Sequence, residues 1–148
     1  MAETLGSLCD KLTIVKLKQW HADDESQQES LALQEQQLCD EINEYIAAAV
    51  TGCIPVDRLS FAANKVYKKE GNVVVDVTGN LGEVFSRLVN VNCKLWHEQE
   101  RVYDFENVPH DEKNGVIKQL ALLNLERNKC IDQLNLLLSE FIQKRKPV

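Results

Sequence analysis

The sequence predicts an all-α protein, a four-helix bundle built from two helical hairpins. Apolar residues recur at helical spacing in four long stretches, and a tetrapeptide ending in Trp-His occurs twice, as KQWH at 18–21 and KLWH at 94–97. The chain of 148 residues is long enough for one domain with a complete core and too short for two ordinary ones. We therefore expect residues 1–148 to form a single domain.

The first predicted hairpin covers about residues 4–51. Apolar side chains at helical spacing predict one amphipathic helix before the acidic segment ADDES and another after it. Ser26 and Glu29 form the pattern S-x-x-E, a capping box that predicts the start of the second helix. This helix is expected to end near Gly52. The short connection makes the two helices an antiparallel pair.

The connection, about residues 52–79, differs from the helices on either side. Pro55 is suited to begin a short helix and Gly71 to end it, and we expect the segment to cross one face of the bundle. It carries a concentration of basic residues that is rare in this acidic chain: Arg58, Lys65, Lys68 and Lys69. Lys65 and Lys68 are candidates for closing over an anionic ligand such as a phosphate, and a solvated helix face is the alternative.

The second predicted hairpin covers about residues 80–144. Asn80 and Glu83 give the capping pattern N-x-x-E, and a long helix follows. The segment FENVPHDEKN predicts the turn, with Pro109 suited to a helix start. The resulting arrangement is four long helices with one long crossover connection.

Two alignments predict that the hairpins are duplicates. The first alignment places KLTIVKLKQWH (11–21) over RLVNVNCKLWH (87–97) and matches Leu, Val, Lys, Trp and His. The second places LALQEQQLCDEIN (31–43) over LNLERNKCIDQLN (123–135) and matches two leucines, an Asp and an Asn. The alternative is the general likeness of leucine-rich helices. Duplication predicts an approximate internal two-fold axis, near which equivalent residues converge and bundles commonly build a central site.

Composition and charge exclude several classes of function. The net charge of −6 and the pI of about 5.1 argue against general nucleic-acid or anionic-membrane binding. No apolar run approaches the roughly 20 residues of a membrane span, and the N-terminal stretch lacks the basic and apolar blocks of a secretory signal. The five cysteines show no C-x-x-C spacing and are expected to be reduced thiols. We expect a cytoplasmic protein.

A polar stripe on the last helix is the first candidate site. Asn124, Asn128 and Asn135 recur at helical spacing among leucines, with Arg127 and Asp132 beside them. Antiparallel pairing places Asn90 and Asn92 of the preceding helix nearby. The side chains expected to line one pocket are therefore Asn90, Asn92, Asn124, Arg127, Asn128 and Asp132. Buried amides need partners, and these come either from a ligand or from a hydrogen-bond network between helices that fixes their register.

The histidines suggest a second kind of site, a metal centre. His21 with Asp24, and His97 with Glu100, stand at i, i+3 and share a helix face. Imidazole with carboxylate suits iron, manganese or zinc, but di-metal bundles carry E-x-x-H rather than this reversed order. The paired acidic motifs of helical nucleoside triphosphate pyrophosphohydrolases are also incomplete. We therefore expect the Trp-His pairs to pack in the bundle rather than to bind a metal.

The second half of the chain carries N-x-x-L-W-H-E-x-E-R from Asn92, followed by N-L-E-R-N-x-x-I-D from Asn124. This pattern resembles an uncharacterised bacterial all-helical family, a domain of unknown function with an N-x-x-LWH-x-E motif and an RN-x-x-ID helix; DKLTIVKLKQWH at 10–21 resembles its opening. The chain has Lys16 and Lys118 where the family has Asn and an acid. The resemblance implies a helical fold and a bacterial cytoplasmic protein, loosely associated with surface-glycan biosynthesis and of no known activity.

We expect a cytosolic helical module that binds a small polar or anionic ligand, sugar-phosphate or nucleotide-like, in a pocket of Asn, Arg, Trp and His side chains. The candidate binding residues are Trp20, His21, Lys65, Lys68, Asn92, Trp96, His97, Asn124, Arg127, Asn128 and Asp132. The alternatives are a non-enzymatic homo-oligomer that serves a structural or protein-interaction role, and a metal-dependent hydrolase. The sequence assigns no nucleophile–base pair and no cofactor.

Overall fold

The computed structural model describes residues 2–61 and 74–145 and confirms the four-helix bundle. Its long helices are α1 (Leu5–His21), α2 (Glu25–Val50), α3 (Leu81–Tyr103) and α4 (Lys113–Arg145), with short 3-10 helices at Val56–Arg58 and Phe105–Asn107. Within these ranges, no helix is long and apolar enough to cross a membrane. The basic residues Lys65, Lys68 and Lys69, and Gly71, lie outside the described residues.

Side-chain caps set the beginnings of three helices, and Thr4 is the cap of α1. Asn80 caps α3 as predicted: its Oδ1 accepts from the backbone N–H of Glu83 at 2.9 Å. The predicted start of α2 was wrong by two positions, because Asp24 occupies the N-cap and accepts from the N–H of Ser26. Ser26 therefore lies inside α2 and does not cap it.

The helices pair as two antiparallel hairpins. The ammonium of Lys16 meets Glu35 at 2.9 Å between α1 and α2, and the guanidinium of Arg87 meets Glu126 at 2.7 Å between α3 and α4. α1 also packs against α3 and α4, whereas α2 rests mainly on α1. Near its C-terminus α2 does join α4, where Tyr45 shares a buried cluster with Leu138. We call this end of the bundle the closed end. Towards the opposite end, the open end, α2 stands apart from α3 and α4.

The core divides into three clusters that follow this packing. The first joins α1, α2 and α4 at the closed end, the second joins α3 and α4 at mid-height, and the third joins α3 and α4 near the open end. The most buried members are Leu8, Ala49 and Leu59 in the first cluster, Val84, Leu88, Cys130 and Leu134 in the second, and Val91 and Leu123 in the third. The α3–α4 pair is thus the continuous part of the core.

α1 approaches α4 most closely at Gly6. A Cβ atom at this position would overlap the backbone oxygen of Ile131. The Gly6 N–H belongs to the first turn of α1, where the helix supplies no acceptor, and it donates to Oδ1 of the fully buried Asn135 at 2.7 Å. The absence of a side chain at Gly6 therefore lets a polar residue of α4 complete the start of α1.

Candidate functional site

A buried carboxylate on α1 connects three helices. Asp10 accepts from Nε of Arg127 on Oδ1 at 2.8 Å and from Nη2 on Oδ2 at 2.5 Å, a two-pronged ion pair between α1 and α4. The same Oδ1 accepts from Nδ2 of Asn92 on α3 at 2.9 Å. Charge-assisted bonds of this kind are short and strong, and they compensate the cost of burying the carboxylate. Asn92 and Arg127 were predicted site residues, whereas the sequence reasoning missed Asp10.

The ion pair with Asp10 uses only some of the hydrogen-bond donors of Arg127. The side chain of Asp10 is 7% exposed, but that of Arg127 is 33% exposed. A guanidinium has five N–H donors, of which Asp10 takes two. In the described part of the chain, no further acceptor contacts Arg127. Three donors of a rigidly held cation are therefore available at the surface beside Asp10.

Arg127 lines a cavity of about 470 Å³, the Arg127 cavity, between α1, α2 and α4. Its lining combines basic, amide, apolar and acidic side chains: Lys11, Lys18 and Arg127; Gln34 and Gln37; Ile14, Val15 and Leu38; Asp10 and Glu41. The ammonium of Lys11 is paired with Glu3, and this hydrogen bond holds the pKa of Glu3 below its usual value. Over residues 2–61 and 74–145, the ammonium of Lys18 has no ion-pair partner.

A second cavity, the Trp96 cavity, continues from the first towards the open end. It has a volume of about 600 Å³ and shares Lys18 and Gln34 with the Arg127 cavity. His21 and Trp96 lie at its far end and stack on each other, with ring centroids 4.6 Å apart and an interplanar angle of 19°. Nδ1 of His21 lies 2.8 Å from the backbone oxygen of Leu17, which fixes the imidazole against its own helix.

The two Trp-His copies meet here, but unequally. His21 comes from the first copy and Trp96 from the second. Their counterparts Trp20 and His97 are exposed, Trp20 to 86%, and they line neither cavity. The predicted duplication stays a prediction, since an unequal pair of this kind neither requires nor excludes a common origin.

The other predicted binding residues lie elsewhere. Asn124 donates to the backbone oxygen of Leu120 at 3.1 Å, and Asn128 donates to the backbone oxygen of Asn124 at 2.7 Å. Both side-chain amides therefore hydrogen-bond to backbone oxygens of their own helix. Asp132 lines a separate cavity, together with Lys129. The structure therefore brings together Asn92 with Arg127, and His21 with Trp96, but it does not gather the polar stripe into one pocket.

The four metal-candidate residues have other partners or are separated. Asp24 caps α2, and Glu100 accepts from Nε1 of Trp96 at 3.0 Å. Within the described ranges, no group of three or more His, Cys, Asp and Glu side chains has the proximity a metal ion would require. The side chains around the two cavities supply hydrogen-bond donors, cations and stacked rings.

Comparison with protein-family models, with curated proteins and with solved structures found no match. The resemblance to the uncharacterised bacterial family stays a prediction.

Proposed function

We propose that the protein is a cytosolic module that binds a small anionic ligand, of the sugar-phosphate or nucleotide-like class, in the Arg127 cavity. The observation that carries the proposal is the geometry of Arg127. Asp10 holds Arg127 through two of its five N–H donors, and the remaining three are available beside the cavity that Arg127 lines.

Lys18 supplies the second cation. It lines the cavity from α1, and no carboxylate among the described residues neutralises it. A guanidinium in a fixed orientation with a flexible ammonium suits a phosphate group, because the first sets direction and the second adds charge. Gln34 and Gln37 add amide groups to the same wall.

Two carboxylates in the lining oppose an anion: Asp10, which is paired with Arg127, and Glu41. Its Oε1 accepts from Nε2 of Gln37 at 2.9 Å, so the carboxylate stays near the α2 wall. We therefore expect the anion on the Lys18 side of the cavity. Glu41→Gln removes the repulsion and should tighten anion binding, whereas it should weaken the binding of a cation.

Calorimetric titration with inorganic pyrophosphate tests the proposal. Wild-type protein should bind pyrophosphate saturably, and Lys18→Ala should weaken binding about tenfold or more, the effect of losing one charge-assisted contact. The matched control is Lys16→Ala, since Lys16 is also exposed on α1 but pairs with Glu35 and lines neither cavity. Equal binding by both variants, or no saturable binding by the wild type, would contradict the proposal.

A second candidate function is that of a homo-oligomeric interaction module. The observation that favours it is the exposure of large apolar side chains towards the open end of the bundle: Trp20 at 86%, Leu33 at 74% and Tyr103 at 82%. A contiguous exposed apolar patch commonly marks a protein-interaction surface. Light scattering coupled to gel filtration tests this candidate: Trp20→Ser should lower the oligomeric mass, and a monomeric wild type would contradict it.

A further inference from the structure

The Trp96 cavity adjoins the proposed anion site and differs from it in chemistry. The Arg127 cavity is dominated by charges, whereas the Trp96 cavity ends on two stacked aromatic rings and is lined by hydroxyl and amide side chains. Its lining includes Lys18, Ser30, Gln27, Gln34, His21 and Trp96. Because Lys18 and Gln34 border both cavities, one molecule can occupy them together.

The spacing along α1 fits a ligand with two unlike ends. Lys18 and His21 are three residues apart, which is a rise of about 4.5 Å along a helix. An anionic group bound at Lys18 therefore places the remainder of a small molecule against the His21–Trp96 stack. Asp10, with Arg127 beside it, lies eight residues before Lys18, about 12 Å further along. A ligand with more than one phosphate can extend in that direction.

We propose that the Trp96 cavity is the ring-binding half of the same site, and that the ligand is a nucleoside phosphate. The His21–Trp96 stack offers a planar surface that a nucleobase extends, since every base presents an aromatic face. Ser30, Gln27 and Gln34 supply groups that both donate and accept, as the polar edge of a base and the ribose hydroxyls require. This inference rests on the proposed anion binding, and it selects between the sugar-phosphate and nucleotide classes.

A fluorescence experiment uses the small number of tryptophans. The chain has two, so Trp20→Phe leaves Trp96 as its sole tryptophan, and the exposure of Trp20 makes that change harmless to the core. ADP should quench Trp96 saturably. It should also bind roughly 5- to 150-fold more tightly than pyrophosphate, the range expected from stacking one base. GDP and UDP, titrated in the same way, report any preference for the base.

Two variants separate the ring site from the anion site. Trp96→Leu should abolish the preference for ADP over pyrophosphate, measured as the ratio of the two dissociation constants. His21→Ala, which removes the ring stacked on Trp96, should reduce the same preference in a protein whose Trp96 is intact. Thermal unfolding of each variant, followed by circular dichroism, shows whether the bundle is retained.

The outcomes are distinguishable. Pyrophosphate binding that depends on Lys18, with ADP binding no more tightly, overturns the nucleoside phosphate and leaves the anion site in place. Ribose 5-phosphate binding as tightly as ADP would assign a sugar phosphate instead and also overturns this inference. If no probe binds, the proposed anion site is wrong and the ring site falls with it.

Discussion

The two halves of α1 have different surroundings, although both carry polar side chains. In the first half, Gly6 and Asp10 meet α4 directly, and their polar groups are satisfied by Asn135 and Arg127. The Arg127 cavity reaches Asp10 and Lys11 at the end of the first half. In the second half, Lys18 and its neighbours line both cavities, because α2 stands apart from α3 and α4 there. A polar residue becomes structural where a partner helix is close enough to satisfy it, and it stays available to a ligand where that helix is absent.

The largest expected effect comes from breaking the buried pair in the first half. Arg127→Ala leaves the carboxylate of Asp10 buried without its cation, and we expect a loss of roughly 3–5 kcal/mol in the free energy of unfolding. Urea denaturation measures it. The double variant Asp10→Leu with Arg127→Met should recover most of that loss, since no charge is then left buried. A loss below about 1 kcal/mol in the single variant would mean that the pair is solvated and weak.

A smaller loss of stability is expected where α1 and α4 are closest. Gly6→Ala forces the two backbones apart, because the new Cβ overlaps the oxygen of Ile131, and should cost about 1–3 kcal/mol. Gly115→Ala is the control: its Cβ meets nothing within 4 Å, and alanine favours the helix by up to about 1 kcal/mol. Equal melting temperatures for the two variants would contradict the close approach.

Thiol reactivity separates the buried from the exposed cysteines. Burial raises the pKa of Cys9 and of Cys130 to about 11, whereas Cys53 and Cys93 are exposed. At pH 8 a thiol reagent should modify the exposed pair first, since the thiolate is the reacting form. Between about pH 9 and pH 11 the unfolded chain loses these thiol protons before the folded protein does. The free energy of unfolding should therefore be unaffected by these thiols below about pH 9 and should fall as the pH rises towards 11. Rapid modification of Cys130 in the native protein would show an opening of the α3–α4 core.

The smallest effect on stability is expected in the second half of α1. Lys18→Ala should change the free energy of unfolding by less than about 0.5 kcal/mol, because its ammonium has no ion-pair partner among the described residues. The same variant should still show the loss of pyrophosphate binding. Should Lys18→Ala unfold the protein instead, the second half of α1 would be structural as well.

The sequence predicted the elements better than their contacts. Helical spacing predicted the four helices, and Asn80 predicted the start of α3, because these signals are local. Asp24 was missed as the cap of α2 because Ser26 and Glu29 offered a competing pattern two residues later. When two capping signals of similar strength lie close together, only the packed structure shows which residue caps the helix.

The contacts within the site depended on long-range packing. Antiparallel pairing predicted Asn92 near the polar stripe of α4, but the group that joins it to Arg127 is Asp10, 117 residues before Arg127 in the chain. Periodicity did not reveal whether Asn128 points to a pocket or bonds to its own helix. The repeated Trp-His pair did mark the open end, although only His21 and Trp96 form the stack.

The most direct test of the account is a nuclear magnetic resonance titration of the ¹⁵N-labelled protein with ADP. The account predicts saturable shifts in the second half of α1, around Gln34 on α2, and at the indole N–H of Trp96, with the indole of Trp20 unchanged. Lys18→Ala should raise the ADP concentration that half-saturates these shifts about tenfold or more, and Lys16→Ala should leave it unchanged. Shifts confined to other faces, or the absence of saturation, would contradict the claim that the open half of α1 is a ligand site.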